Sequence, residues 1–311
     1  MNKILSYLLL AAIIIALVVG IDFWKENHNN KLPGANDQYY KIVSLPIPDT
    51  LKFAGEPVPV NIFYVKESLD KELSVNTYWH SSTLQLIKRS YRYFPMIEEI
   101  LRKNNIPDDF KYLAVIESGL KNVTSPAGAK GYWQLMKATA KERGLEVDKD
   151  VDERYNVKKS TEAACQYLLH AHEKFGNWTL AAASYNAGIT GILKQMERQN
   201  ETSYYDLLLN EETARYIYRI LAVQLIFENP KSYGFYIEDN EVYQPIPTKT
   251  VEVRTSIDSW ADFAAEQGIS YKLLKKFNPW LRQKDLNNRK KKTYFIEIPE
   301  PPYNMTHVAR K

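Results

Sequence analysis

The sequence predicts a mainly α protein: a helical domain of enzyme size, a small β-α-α-β unit behind it, and an N-terminal transmembrane or signal helix. Three observations carry this. From Ser81 to about Phe227 hydrophobic residues recur at three- and four-residue spacing with few β-branched alternations. Thr250–Arg254 and Tyr294–Pro299 alternate like strands and bracket two short helical stretches. Ile4–Ile21 is an apolar run interrupted only by Ser6, Tyr7 and Gly20.

Composition sets the outer bounds. The chain has 311 residues, of which 45% are hydrophobic, 25% charged and 13% aromatic, so wholesale disorder is excluded. Twelve glycines and 15 prolines without a fixed period exclude collagen-like and solenoid folds. Cys165 is the single cysteine, which rules out an intrachain disulfide and a cysteine-based zinc cluster. The five histidines are scattered, and on a helix His170 and His172 point about 200° apart. Asp148, Asp150 and Asp152 open with the spacing of a calcium loop, but Glu153 and Lys159 occupy the positions that need Gly and Glu. Neither a metal nor a cofactor is expected.

The formal charge of +4 is uneven: residues 282–292 carry six positives against Asp285, net +5, which leaves −1 elsewhere. Such a patch suits an anionic polymer or membrane surface, or is a solvated lysine loop. No nucleic-acid partner is expected.

In chain order, residues 4–21 would span about 27 Å at the helical rise, close to a bilayer core. With Lys3 before the run, Trp24 after it and no clear small-x-small site, it reads as an uncleaved signal anchor, a cleaved signal being the alternative. Residues 22–80 form a tether and an N-terminal extension, of which 51–80 resist assignment. Pro95 is expected to end one helix and start the next, with Glu98 and Glu99 in its first turn. Pro107-Asp108-Asp109 starts a short helix over 107–118 that Gly119 stops, which puts Glu117 in its last turn. Ser160 is expected to cap a helix closed by Gly176; further helices run from Trp178 to Ala187 and from Glu211 to Glu228. Residues 236–249 read as a linker and 250–311 as the β-α-α-β unit with its basic loop.

A carboxyl in a last helical turn feels the negative end of the dipole, and apolar neighbours such as Ile116 desolvate it. Both raise the pKa of Glu117, as a general acid for glycosidic cleavage requires. Around it lie four blocks: Ala114-Val115-Ile116-Glu117-Ser118-Gly119, Ser125 to Met136, Ala183-Ser184-Tyr185-Asn186-Ala187-Gly188, and Glu212-Thr213-Ala214-Arg215-Tyr216-Ile217. In content and order they resemble the soluble-lytic-transglycosylase-like domains, over roughly residues 90–235.

The resemblance implies a lysozyme-like helical domain over 81–235 that acts on peptidoglycan glycan strands, with Glu117 as the single catalytic acid/base. It implies cleavage between N-acetylmuramic acid (MurNAc) and N-acetylglucosamine (GlcNAc) with formation of a 1,6-anhydro end. Ser118, Gly131, Gln134, Tyr185, Asn186 and Tyr216 are the implied substrate-binding residues. Gly131 would let backbone approach the sugar, Gln134 offers an amide to an N-acetyl group, and Tyr216 positions the acid. Ser184, Lys137 and Tyr218 depart from the usual text at positions without a proposed role. A hydrolytic muramidase on the same fold and a non-catalytic wall-binding protein are the alternatives.

The last unit, through Ser256 to Ala264, Gly268-Ile269, Leu274 and Asn278-Pro279, resembles a diverged LysM module, a family that binds N-acetylglucosamine-containing chains. Arg254-Thr255-Ser256 replaces that family's usual opening, so glycan binding and a structural role both stay open. Together the resemblances imply an envelope protein on the periplasmic side, anchored to the inner membrane by residues 4–21.

Overall fold

The computed structural model describes residues 17–21 and 42–304. The expected anchor and tether fall mostly outside these; a helical turn at 17–21 is the described part of the apolar run. Among the described residues no helix is long and apolar enough to cross a membrane. From Leu45 onward the described residues fall in one compact unit.

That unit opens with a hairpin, β1 (Leu51–Phe53) against β2 (Glu56–Val58), which seats the buried Phe53 ring 5.4 Å from Phe110. Helix α1 (Phe63–Tyr78) follows in the stretch that the sequence pattern leaves unassigned. Its inward stripe is Val65, Leu69, Glu72, Leu73 and Thr77, while Phe63, Tyr64 and Val75 are exposed, so no clean apolar face is written in the sequence.

Helix α2 (His80–Lys103) runs unbroken through Pro95, against the expected division there. A proline removes one N–H and frees the carbonyl four residues earlier. That residue, Tyr91, is 48% exposed, so water can serve the freed group while buried Ile87, Ile97 and Leu101 hold the helix to the core.

A single 3-10 turn at Asp108–Phe110 leads into α3 (Lys111–Ser118), which Gly119 ends in the left-handed conformation. After α4 (Lys137–Glu142) comes α5 (Val157–Phe175), whose cap is Asn156, accepting from the Lys159 N–H, rather than Ser160. Ser160 lies one turn inside, fully buried, and donates to the Val157 carbonyl. Asn177 caps α6 (Trp178–Ala187), α7 (Ile189–Gln199) follows, and Asn210 caps α8 (Glu211–Glu228). Every residue of α8 from Ile220 to Ile226 is buried, and it packs against α1, α3 and α6 as the central helix.

The terminal unit is β3 (Thr248–Val253), α9 (Trp260–Glu266), α10 (Tyr271–Phe277) and β4 (Tyr294–Pro299), with the strands antiparallel from Thr248↔Pro299 to Val253↔Tyr294. Its core holds Trp260, Leu274, Leu281, Ile296 and Ile298, each worth roughly 1.5–3 kcal/mol for an apolar side chain removed from water. Val151 and Tyr155 of the helical part join that same core. At the seam Val151 bridges Leu281, the Asp152 N–H donates to the Trp280 carbonyl at 2.9 Å, and the Arg282 N–H donates to Asp150 at 2.8 Å. Lys292 pairs with Glu146 at 2.9 Å and Arg282 lies 4.3 Å over the Tyr155 ring, so two of the six basic residues are engaged in docking.

Candidate active site

The end of α3 is turned sharply by two successive left-handed residues, Gly119 at φ 60° and Leu120 at φ 54°. Two guanidinium groups meet the carbonyls exposed there: Arg219 donates to Ile116 at 2.9 Å and Arg89 to Gly119 at 2.8 Å. The negative end of the helix is thereby answered by positive charge. Glu117 itself is partly buried, and its carboxylate accepts a hydrogen bond from the buried Tyr216 hydroxyl on α8.

Burial pushes Glu117 up to about 7; the Tyr216 hydrogen bond and the Arg219 charge pull against this, and the Glu212 charge adds to it. Desolvation therefore outweighs the groups that favour the anion, and near neutral pH the carboxyl holds its proton about half the time. A group in this state can both give and take a proton.

Beside α3 runs the turn formed by residues 128–135. The Ser118 hydroxyl donates to the Tyr132 carbonyl at 2.7 Å, and the Tyr185 hydroxyl donates to the Trp133 carbonyl at 2.7 Å. Both side chains thus hold consecutive peptide groups of this turn. Gly131 adopts φ 82°, and a Cβ there would sit 1.8 Å from the Arg154 carbonyl oxygen. The close approach that makes it glycine is to the protein's own backbone, whereas the sequence reading points to the sugar.

Arg154 is buried and forks onto Asp152 at 2.8 and 2.9 Å, while its third nitrogen donates to the Leu135 and Gly128 carbonyls at 3.2 and 3.3 Å. Gln134 sits at φ 46°, a strained conformation for a residue with a side chain. Its amide nitrogen donates to the Gly131 carbonyl at 2.7 Å and to the Val123 carbonyl at 3.1 Å. Trp133 is fully buried, its indole N–H on Thr161 at 2.8 Å, and belongs to the core.

Asn186, at the end of α6, donates to Glu212 at 2.9 Å and accepts from Thr213 at 2.7 Å, both at the start of α8. Glu117, Ser118, Tyr185 and Tyr216 are therefore brought together, and Asn186 reaches them through Glu212. Four neighbours carry no assigned role in the sequence reading: Arg89, Arg154, Glu212 and Arg219. Glu212, Tyr216 and Arg219 follow at four and three residues, which puts them on one face of α8, a signal available from spacing alone. Arg89 and Arg154 act on backbone atoms distant in sequence, which no local pattern announces.

Two cavities flank this constellation. One of about 400 Å³ is lined by Ala187, Ile192, Gln195, Asn210 and Thr213. Another of about 550 Å³ lies between the α1–α2 joint and α8, with Glu212 and Arg219 in its wall.

Residues 94–208 match the family model of the transglycosylase SLT domain, and residues 249–302 match that of the soluble lytic transglycosylase C-terminal LysM-like domain. Over 239 residues, 74% of this chain and 51% of the relative, the sequence is 29% identical to membrane-bound lytic murein transglycosylase D of Escherichia coli (strain K12). It is 32% identical over 106 residues, 33% of this chain and 50% of the relative, to a putative tributyltin chloride resistance protein of Alteromonas sp. (strain M-1). The crystal structure of the 70 kDa soluble lytic transglycosylase SLT70 from Escherichia coli aligns with a TM-score of 0.41 at 16% identity, over 57% of this chain and 33% of that one. The chain spans about half the length of the curated relatives it matches. It carries an SLT domain and a C-terminal LysM-like domain.

Proposed function

We propose that this protein is a peptidoglycan lytic transglycosylase that cleaves the MurNAc–GlcNAc bond and leaves a 1,6-anhydro-MurNAc end. The observation that carries the reading is Glu117: a partly buried carboxyl raised to about 7, held by Tyr216, in the domain matched by the SLT model. Its protonated form gives a proton to the departing glycosidic oxygen. The resulting carboxylate then takes the proton of the muramic acid C6 hydroxyl as that oxygen closes on the anomeric carbon. Atoms balance without water, and because the nucleophile belongs to the substrate its effective concentration is high.

In this reading Gln134 and Asn186 contact N-acetyl and hydroxyl groups of the strand. Ser118, Gly131 and Tyr185 keep the turn at 128–135 against α3, and Tyr216 orients the acid. The LysM-like module holds the same polymer, and residues 4–21 anchor the protein at the inner membrane with the rest on the periplasmic side. A hydrolytic muramidase is the second reading, because Glu212 is a carboxylate close enough for its charge to act on Glu117. Hydrolysis would need it to activate water, while here it already accepts from Asn186.

Mass spectrometry of muropeptides released from purified peptidoglycan, by the protein and by its Glu117→Gln variant, tests this. Anhydro products from the former, reduced about 10³-fold in the latter, are expected for loss of a general acid. Reducing ends formed by water addition would move the function to a muramidase; no release by either would leave a wall-binding protein.

A further inference from the structure

The cavity between α1, α2 and α8 has a rim that the chemistry of Glu117 does not use. Trp79 is the single residue joining α1 to α2. Its N–H closes α1 on the Val75 carbonyl at 3.1 Å, and its carbonyl opens α2 by accepting from Ser82 at 3.0 Å and Thr83 at 3.3 Å. The backbone is thus fixed from both sides, yet the side chain is 68% exposed. Among the described residues no other aromatic ring lies on it. A large apolar face exposed to water gains by being covered.

The wall beneath it is polar and pre-set. Glu72, 2% exposed, pairs with Arg215 at 2.6 Å, and Arg215 also reaches Glu211 at 3.5 Å. Asn76 is pinned to the Glu72 carbonyl at 2.8 Å, and Glu212 and Arg219 complete the lining. Arg215 answers Glu72 and Glu211, Glu212 accepts from Asn186 at 2.9 Å and Arg219 donates to the Ile116 carbonyl at 2.9 Å, so each charged group of the lining is held in place and the cavity offers fixed donors and acceptors to a guest. An aromatic plate beside fixed polar edges fits a pyranose, whose C–H face stacks and whose hydroxyl and acetamido groups bond at the rim. The charges of Arg219 and Glu212 also act on Glu117, so the cavity and the acid share two neighbouring side chains.

We propose that Trp79 is the stacking platform of a further saccharide subsite, which takes a β-1,4-linked N-acetylhexosamine unit of the strand. This rests on the reading of Glu117 as an acid acting on such a strand. All eight residues lining the cavity lie outside the segment that matches the SLT model.

The test is isothermal titration of the full chain in detergent, carrying Glu117→Gln to prevent turnover, with a β-1,4-linked N-acetylglucosamine hexamer. Adding Trp79→Ala is expected to weaken binding about tenfold with an unchanged melting temperature, and Trp79→Phe to stay within about threefold. With Glu117 intact, Trp79→Ala should raise KM on long strands and leave kcat in place. Equal hexamer affinity with and without Trp79, or no hexamer binding by the parent, overturns the subsite. Cleavage of peptidoglycan that is lost in Glu117→Gln is scored separately, so the subsite can fail while the acid's role stands.

Discussion

Glu117 in the helical part and Asn278 in the terminal module are polar side chains enclosed by protein, and the fold surrounds them in opposite ways. Asn278 is fully buried; its amide donates to the Leu274 and Glu297 carbonyls at 3.0 and 2.7 Å and accepts from the Glu297 N–H at 2.9 Å. It locks α10 to β4 with three short bonds and no charge. Glu117 has Tyr216 as its hydrogen-bond donor among the described residues, and its environment penalises the charge that it takes up on deprotonation. A saturated polar group fixes a fold, and an under-served one is left with chemistry to do.

Changes on both sides of this contrast should separate stability from catalysis. Asn278→Ala strands three backbone groups and should cost about 2–4 kcal/mol in urea unfolding, while the pH at which activity falls is unchanged. A shifted pH profile in that variant would break the contrast. Glu117→Gln should do the reverse. The raised carboxyl contributes stability that is full below about pH 4.5 and is lost as pH rises through about 7. The variant, free of this titration, should therefore melt higher than the parent at pH 8, by up to about 3 kcal/mol, with the gap closing toward pH 4.5. No gap at pH 8 would mean that the acid is not desolvated.

Tyr216→Phe removes a bond that favours the carboxylate, so Glu117 should rise further. The basic limb of the activity profile, where the acid form is lost, should move up by about one pH unit. A downward move would show that the hydroxyl serves the protonated form. Smallest is Lys158→Ala, which breaks an exposed pair with Glu297 at the seam and should change stability by under about 1 kcal/mol. A larger loss would show that surface charge, rather than the shared apolar core, holds the module.

Much of this is legible in the amino-acid order of the chain. Gly119 sets the end of α3 and so the place of Glu117, and Gly176, Gly188 and Pro230 bound three more helices through the physics of helix ends. The β-α-α-β order can be read from period alone, within two residues at β3. What escapes reading depends on partners far along the chain. Helix α1 hides Glu72 and Thr77 on its inner stripe because Arg215, 143 residues later, neutralises the first of these. Pro95 reads as a break until packing on both sides carries the helix past it. The hold of Ser118 and Tyr185 on the 132 and 133 carbonyls needs the folded turn to exist, so the order of residues does not announce it.

The segment from Glu146 to Asn156 belongs to two neighbourhoods at once. Val151 and Tyr155 are core residues of the module, while Arg154 between them clasps the turn beside the acid. Calorimetry should therefore record one cooperative transition for the helical part and the module together, since melting the module strips apolar cover from the loop that supports the turn beside Glu117. Truncation at the linker would leave the acid in sequence but loosen its surroundings. The module is thus a structural support of the candidate site as well as a neighbour to it, and exchanging it for another of the same fold would require a matching loop.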